Sequence, residues 1–122
     1  MKKLIASAAA ILAFATSAYS QDTNPPSVTM TAPVNGIAVE TDRVTVTGDA
    51  SDDTGVTVVE YRIEGQRRWR KATLTNPDSS STSYVFSYKN TKKGRAKRVY
   101  VRARDEAKNE SDTLGRKIFR AR

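Results

Sequence analysis

Two short segments carry acidic and amide side chains of the kinds that bind hard cations. The first contains Asp49, Asp52 and Asp53, and the second contains Asp105 and Asn109. Carboxylate and amide oxygens drawn from more than one loop are what a Ca²⁺ site requires. In a second interpretation, these side chains accept hydrogen bonds from the backbone of their own turns. Their spacing does not match an EF-hand loop, which favours the second interpretation.

Cationic side chains are concentrated in the second half of the chain. Residues 61–122 contain 18 Lys or Arg against six Asp or Glu, whereas residues 21–60 contain one base against seven acids. Such a concentration suits phosphate, sulfate or uronate groups, and Arg adds bidentate geometry. A solvated basic surface that only keeps the protein soluble is the competing interpretation. The candidate polyanion-binding residues are Arg67, Arg68, Arg70, Lys71, Lys92, Lys93, Arg95 and Lys97.

The 122-residue chain has no Cys and no His, which excludes several kinds of chemistry. Ser–His and Cys–His nucleophile pairs, zinc sites built on thiolate or imidazole, and disulfide bonds all need those side chains. A glycosidase with paired carboxylates needs neither, but a chain of this length leaves little room for a cleft. We therefore expect a protein that is not an enzyme, with a small carbohydrate-active enzyme as the alternative.

The first 20 residues have the pattern of a secretory signal peptide. Lys2 and Lys3 precede an apolar run, and Ala18 and Ser20 form a small-x-small cleavage site. The run is well short of the roughly 20 residues that span a bilayer. We expect removal of residues 1–20, a polar and Pro-containing leader at 21–26, and one domain at 27–122. The mature chain would have no membrane span and would be periplasmic or extracellular.

Apolar and polar residues alternate through most of the remaining chain, which predicts short β-strands. Strands are predicted at 28–31, 37–39, 44–47, 56–64, 69–74, 84–88, 98–104 and 114–119, with turns at 49–55, 65–68, 76–83, 89–97 and 105–112. Seven to eight antiparallel strands in a chain of this length predict an all-β sandwich of the Ig-like type, without a disulfide. The expected core residues are Val46, Val59, Tyr61, Ile63, Trp69, Phe86, Val99, Val101 and Ala103.

Three stretches resemble the bacterial Ig-like domains, a family related to fibronectin type III modules that includes the domain B type of glucodextranase. They are Pro25 to Val28 with Pro33 and Gly36, the run TVTGDASDDTGVTVVEYRIEG with Trp69, and the run VYVRARDEAKNES. The family usually has Gly before the Asn of its late turn. Lys108 stands there in this chain, so the resemblance implies a left-handed backbone at Lys108 or Asn109.

An Ig-like sandwich would separate the two charged groups. The acids at 49–53 and 105–112 would share one end, the acidic pole, and the bases of the turn at 65–68 and the connection at 89–97 would share the other, the basic pole. The resemblance implies a binding or structural module, because such modules serve as spacers, adhesive units and carbohydrate-binding accessories in exported bacterial proteins. We expect contact with an anionic glycan or cell-envelope polymer, or with a protein partner. A self-assembling surface subunit, in which acidic and basic poles dock head to tail, is a further alternative.

Overall fold

Residues 24–122, described by a computed structural model, contain seven β-strands and no helix. The predicted signal peptide and the start of the predicted leader lie outside the described residues. Within 24–122, no helix is long and apolar enough to cross a membrane. The strands are β1 (Ser27–Ala32), β2 (Arg43–Ile63), β3 (Arg70–Lys71), β4 (Thr73–Leu74), β5 (Ser79–Lys89), β6 (Ala96–Asp105) and β7 (Leu114–Phe119).

Strand β2 belongs to both layers of the fold. Its first part, up to Ser51, pairs antiparallel with β1 and β5, and its second part, from Val56, pairs antiparallel with β6 and β3. The register shifts between those two residues, and Gly55 has a φ of 119°, which a side chain would strain. Strands β4 and β7 extend the layers beside β5 and β6. The predicted Ig-like sandwich is confirmed.

Antiparallel pairing determines which loops meet at each end. At the acidic pole, Glu106 N donates to Gly55 O (3.2 Å) and Asp78 N donates to Val56 O (2.8 Å), so three connections lie side by side. At the basic pole, Asn90 N donates to Asp42 O (2.8 Å), which brings the loop at 33–42 against the connection at 90–95. The turn at 64–69 ends β2 at this same pole.

The core consists of the inward members of the alternating runs. Seven of the nine predicted core residues are buried: Val46, Val59, Ile63, Phe86, Val99, Val101 and Ala103. Tyr61 is half-buried and packs against this core, where its ring stacks on Phe86 with centroids 3.9 Å apart. Because Tyr61 lies in one layer and Phe86 in the other, this stack joins the two sheets. Trp69 is not part of the core.

The structure corrects four predicted boundaries. The predicted turn at 49–55 lies within β2, which continues through it with a shift in register. The predicted strand at 69–74 is two short strands, since Ala72 N donates to Val59 O and the chain then crosses from β2 to pair with β5. The predicted strand at 37–39 is reduced to a single parallel bridge between Val39 and Arg120. Strand β5 begins inside the predicted loop at 76–83, because Ser81 and Thr82 pair with β2 although their side chains are polar.

Tyr84 ties β1 to the interior. Its side chain is buried, and its hydroxyl donates to Thr29 O at 2.7 Å. The hydroxyl passes over Gly48, where a Cβ would collide with both Thr29 O and the Tyr84 hydroxyl. Burial raises the pKa of Tyr84 above its ordinary value. Gly48 is therefore required by close approach, since only a residue without a side chain leaves room for this hydrogen bond.

Tyr88 is a second buried tyrosine with a different environment. Its hydroxyl has no hydrogen-bond partner among residues 24–122. Burial raises the pKa of Tyr88 to about 12. The two tyrosines therefore provide an internal comparison between a satisfied and an unsatisfied hydroxyl.

Changing Gly48→Ala should unfold the domain or lower its stability by more than about 3 kcal/mol, because backbone atoms must move to relieve the collision. Gly115→Ala is the matched control, since it is also in a strand and the nearest atoms to its Cβ would be side-chain atoms at ordinary contact distance, in the Tyr100 ring at 3.5 Å and Arg98 at 4.0 Å. That variant should stay within about 1 kcal/mol of the parent. Equal urea midpoints for the two variants would contradict the close approach at Gly48.

Tyr84→Phe should destabilise the domain by about 1 kcal/mol, because it leaves Thr29 O without its donor, whereas Tyr88→Phe should be neutral or stabilising. The raised folded pKa of Tyr88 also predicts that stability falls as pH rises from about 10 towards 12, since only the unfolded chain ionises freely there. Urea unfolding of Tyr88→Phe should show a shallower alkaline loss than the parent. If stability falls equally steeply with rising pH in the variant and the parent, the Tyr88 hydroxyl is solvated in the folded protein.

Candidate functional site

A groove runs along the open edge of the sandwich, between β3 on one side and β4 with the second half of β5 on the other. It consists of two cavities of about 430 and 230 Å³ that share Tyr61 and Ser87 in their walls. We call it the edge groove. Its lining residues are Thr45, Tyr61, Ile63, Gln66, Arg70, Lys71, Thr73, Val85, Phe86, Ser87, Tyr88 and Lys89.

Strand pairing places the functional side chains of the edge groove. Arg70 pairs with Tyr61, and Lys71 pairs with Glu60, so the short strand β3 carries two cations to the rim. Lys89 ends β5 and pairs with Arg43 across the layer. Because β3 is only two residues long, it does not close the edge, and the half-buried Tyr61 ring keeps part of its surface accessible.

The edge groove is cationic and rich in hydroxyl groups. None of its lining residues is acidic, whereas Arg70, Lys71 and Lys89 are cations. Arg43 Nη1 donates to Ser87 Oγ at 3.0 Å, which holds a further guanidinium beside the wall. Cations, hydroxyls and an aromatic ring in one concave surface suit an acidic sugar or a phosphorylated chain.

The predicted polyanion-binding residues share the basic pole but not one surface. Arg70 and Lys71 line the edge groove, while Arg67 and Arg68 are exposed on the adjoining turn. Lys92, Lys93 and Arg95 are all exposed in the connection at 90–95. Lys97 is half-buried in β6, opposite Ile118.

The basic pole also contains acidic residues, which the distribution of charges along the sequence did not predict. Glu40 and Asp42 lie in the loop at 33–42, and Asp42 Oδ1 accepts from Arg120 Nη2 at 2.8 Å. Arg120 is buried, so this pair neutralises a cation that faces the interior. Glu40 and Glu64 are the other exposed acids of this pole, where exposed cations are more numerous.

Trp69 lies on the outer face of the β2–β6 pairing, which corrects its predicted place in the core. The guanidinium of Arg102 sits 3.9 Å from the ring centroid, and that of Arg62 sits 5.5 Å away. Arg62 also covers the ring of Tyr100 at 4.8 Å. The chain turns outside the sheet before β3 begins, so the Trp69 ring meets outward-facing arginines rather than the interior.

Cross-strand ion pairs also lie on this outer face. Glu60 Oε1 accepts from Arg102 Nε at 3.0 Å and lies 3.5 Å from Arg104 Nη2. Arg104 also donates to Glu110 at 2.7 Å, and this hydrogen bond holds the pKa of Glu110 below its ordinary value. These arginines already have anionic or aromatic partners, so they are less available to an external anion than those of the edge groove.

The predicted cation-binding acids have partners within their own or neighbouring turns. Asp52 Oδ2 accepts from Thr54 N (2.9 Å) and Thr54 Oγ1 (2.7 Å), and Asp105 accepts from Asn109 N (2.8 Å) and Asn109 Nδ2 (3.1 Å). Asp49 accepts from Ser83 Oγ at 3.0 Å. Within residues 24–122, no three His, Cys, Asp or Glu side chains come together as metal ligands would.

Two further details of the acidic pole bear on the turn chemistry. Asp53 lies 3.5 Å from the Asn24 amide, which links the start of the described chain to this pole. Lys108 has a φ of 69°, so the left-handed position implied by the family resemblance is confirmed.

Sequence and structure comparisons agree on the type of domain. Residues 26–110 match the family profile described as bacterial Ig domain. The fibronectin(III)-like modules of Clostridium thermocellum CbhA match with 23% identity and a TM-score of 0.53, covering 78% of this chain and 97% of theirs. The SrpA adhesin of Streptococcus sanguinis matches with 21% identity and a TM-score of 0.56, covering 84% of this chain and 61% of that one.

A third match shows the same fold inside a larger protein. The sulfane dehydrogenase SoxCD of Paracoccus pantotrophus matches with 18% identity and a TM-score of 0.60. The match covers 71% of this chain but only 23% of the dehydrogenase chain. A comparison with curated proteins gave no match. At these identities the solved structures establish the fold and nothing about activity.

Proposed function

The chain belongs to the bacterial Ig domain family, and from that premise we propose that it is an exported, non-catalytic binding module for an anionic polymer. The ligand would be an acidic glycan or a phosphorylated polymer of the cell envelope or its surroundings. It would lie in the edge groove and continue over the exposed cations of the basic pole. The observation that carries this proposal is a concave surface with three cations and no acidic residue in its lining.

The geometry of the edge groove supports a chain-like ligand. Its two cavities follow one another along the sandwich edge, so a linear polymer can pass from Thr73 at one end to Lys89 at the other. Threonine and serine hydroxyls can bond sugar hydroxyls, while Arg70 can take a sulfate or carboxylate in a bidentate manner. Repeated anionic groups along the ligand would then meet successive cations.

The partners of the other arginines support this choice of surface. Arg102 and Arg104 are engaged by Glu60 and Glu110, and Arg120 is engaged by Asp42. The cations that line the edge groove make no ion pair among the described residues. An incoming anion would therefore not have to displace an existing carboxylate there.

Export and the absence of catalysis complete the proposal. The expected signal peptide at residues 1–20 supports a location in the periplasm or outside the cell. The edge groove has cations and hydroxyls but no carboxylate pair of the kind a glycosidase uses. We expect the module to hold its ligand without changing it.

Arg70→Gln combined with Lys71→Gln should weaken binding to heparin about tenfold at low salt, because both changes remove cations from the edge groove. The salt dependence of the binding constant should become shallower by about two units on a log–log plot. Isothermal titration at several salt concentrations measures both quantities.

Arg104→Gln combined with Lys108→Gln is the matched control, since it removes one Arg and one Lys that lie away from both the edge groove and the basic pole. The heparin affinity of this variant should fall by no more than about twofold. Equal losses for the two double variants would assign binding to net charge alone. If the parent does not bind heparin at low salt, the proposal is contradicted, and the basic surface only keeps the protein soluble.

A further inference from the structure

Every large hydrophobic side chain that is strongly exposed within residues 24–122 lies at the basic pole. Val34 is 60% exposed, Ile37 58% and Phe119 45%. Single exposed apolar residues are ordinary when they are scattered over a surface. Three at one end of a domain, with cations around them, form an amphipathic surface that needs a separate explanation.

Backbone hydrogen bonds place the segments that carry these residues side by side. Val39 N donates to Phe119 O, and Ala121 N donates to Val39 O, each at 2.8 Å. Ile37 N donates to Val34 O at 3.2 Å, which closes the turn at the start of the same loop. The loop at 34–39 therefore runs along the end of β7.

A second loop lies on the opposite side of the same strand end. Gly94 N donates to Arg120 O at 2.8 Å, and Arg120 N donates to Arg95 O at 2.9 Å. The segments 34–39, 119–121 and 92–95 thus form one continuous layer, which we call the tip.

The tip is strongly cationic at its rim. The exposed cations in its segments or beside them are Lys92, Lys93, Arg95, Lys117 and Arg122. Glu40 is the neighbouring exposed acid, and Asp42 is already paired with Arg120. The apolar side chains therefore stand next to segments on which exposed cations outnumber exposed acids.

We propose that the tip docks on an anionic phospholipid bilayer. The three apolar side chains would enter the headgroup region while the cations meet lipid phosphates, as in other interfacial amphipathic surfaces. A soluble polyanion would satisfy the cations but would leave the apolar side chains in water. A second copy of the chain would bring like charges face to face, which disfavours pairing of two tips. The inference goes beyond the proposed function, because it uses the apolar side chains of the tip, which a polymer in the edge groove and on the exposed cations would not contact.

Sedimentation with phosphatidylglycerol-containing vesicles tests the proposal, using protein purified after export with its N-terminus defined by mass spectrometry. Phe119→Ser should weaken vesicle binding about tenfold, because it removes the largest apolar side chain of the tip. Phe119→Leu keeps an apolar side chain, so its affinity for the vesicles should fall by less than about twofold. Heparin affinity should be the same in both variants. Ile37→Ser, in a loop, provides a second test if Phe119→Ser does not fold.

Vesicle and heparin results separate this inference from the proposed function. Vesicle binding that is unchanged in both Phe119→Ser and Ile37→Ser, or absent in the parent at low salt, would overturn docking on lipid. Loss of heparin binding in the double variant at Arg70 and Lys71, with vesicle binding retained, would support two independent surfaces. If the double variant binds heparin as tightly as the parent does, the proposed function is contradicted, whereas docking on lipid is not affected.

Discussion

The shared strand β2 is the constraint on which the rest of this fold depends. The chain has no cysteine, so no disulfide can join the two layers of the sandwich. Instead, β2 pairs with β1 and β5 in one layer and with β6 and β3 in the other. The interior between the layers is closed by packing alone, with Tyr61 stacked on Phe86 across it. Burial of such rings and of the valines around them provides the main free energy that keeps the layers together.

The same strand determines where the charges lie. The shift in β2 after Ser51 directs the chain back towards the basic pole, so the acids near that bend stay at the opposite end. The antiparallel return of β5 and β6 then places the connection at 90–95 at the same pole as the turn at 64–69. Because β3 and β4 are short, one edge stays open, and the edge groove forms where the cations of β3 face the end of β5. The edge groove is thus a consequence of an incomplete sheet edge.

The alternation of side chains made most of the fold predictable. Val59 and Ile63, with Val99 and Val101 on the facing strand, mark the buried side of their strands in the sequence itself. Trp69 was predicted wrongly because a large apolar residue favours the interior, whereas its position beyond a strand end places it under Arg102. The strand at Ser79–Thr82 was missed because its polar side chains resemble a loop while its backbone pairs with β2. The edge groove could not be predicted at all, since it depends on how far β3 extends.

Chemical-shift mapping with a short heparin-derived oligosaccharide tests whether the ligand binds in the edge groove, because it reports on each backbone amide separately. Binding in the edge groove predicts the largest shifts at Tyr61, Arg70 and Lys71 and along β5 from Val85 to Lys89, and little change at the acidic pole. Shifts concentrated on the outer face around Trp69 and Arg102 would contradict binding in the edge groove, and so would uniform small shifts over all the exposed cations.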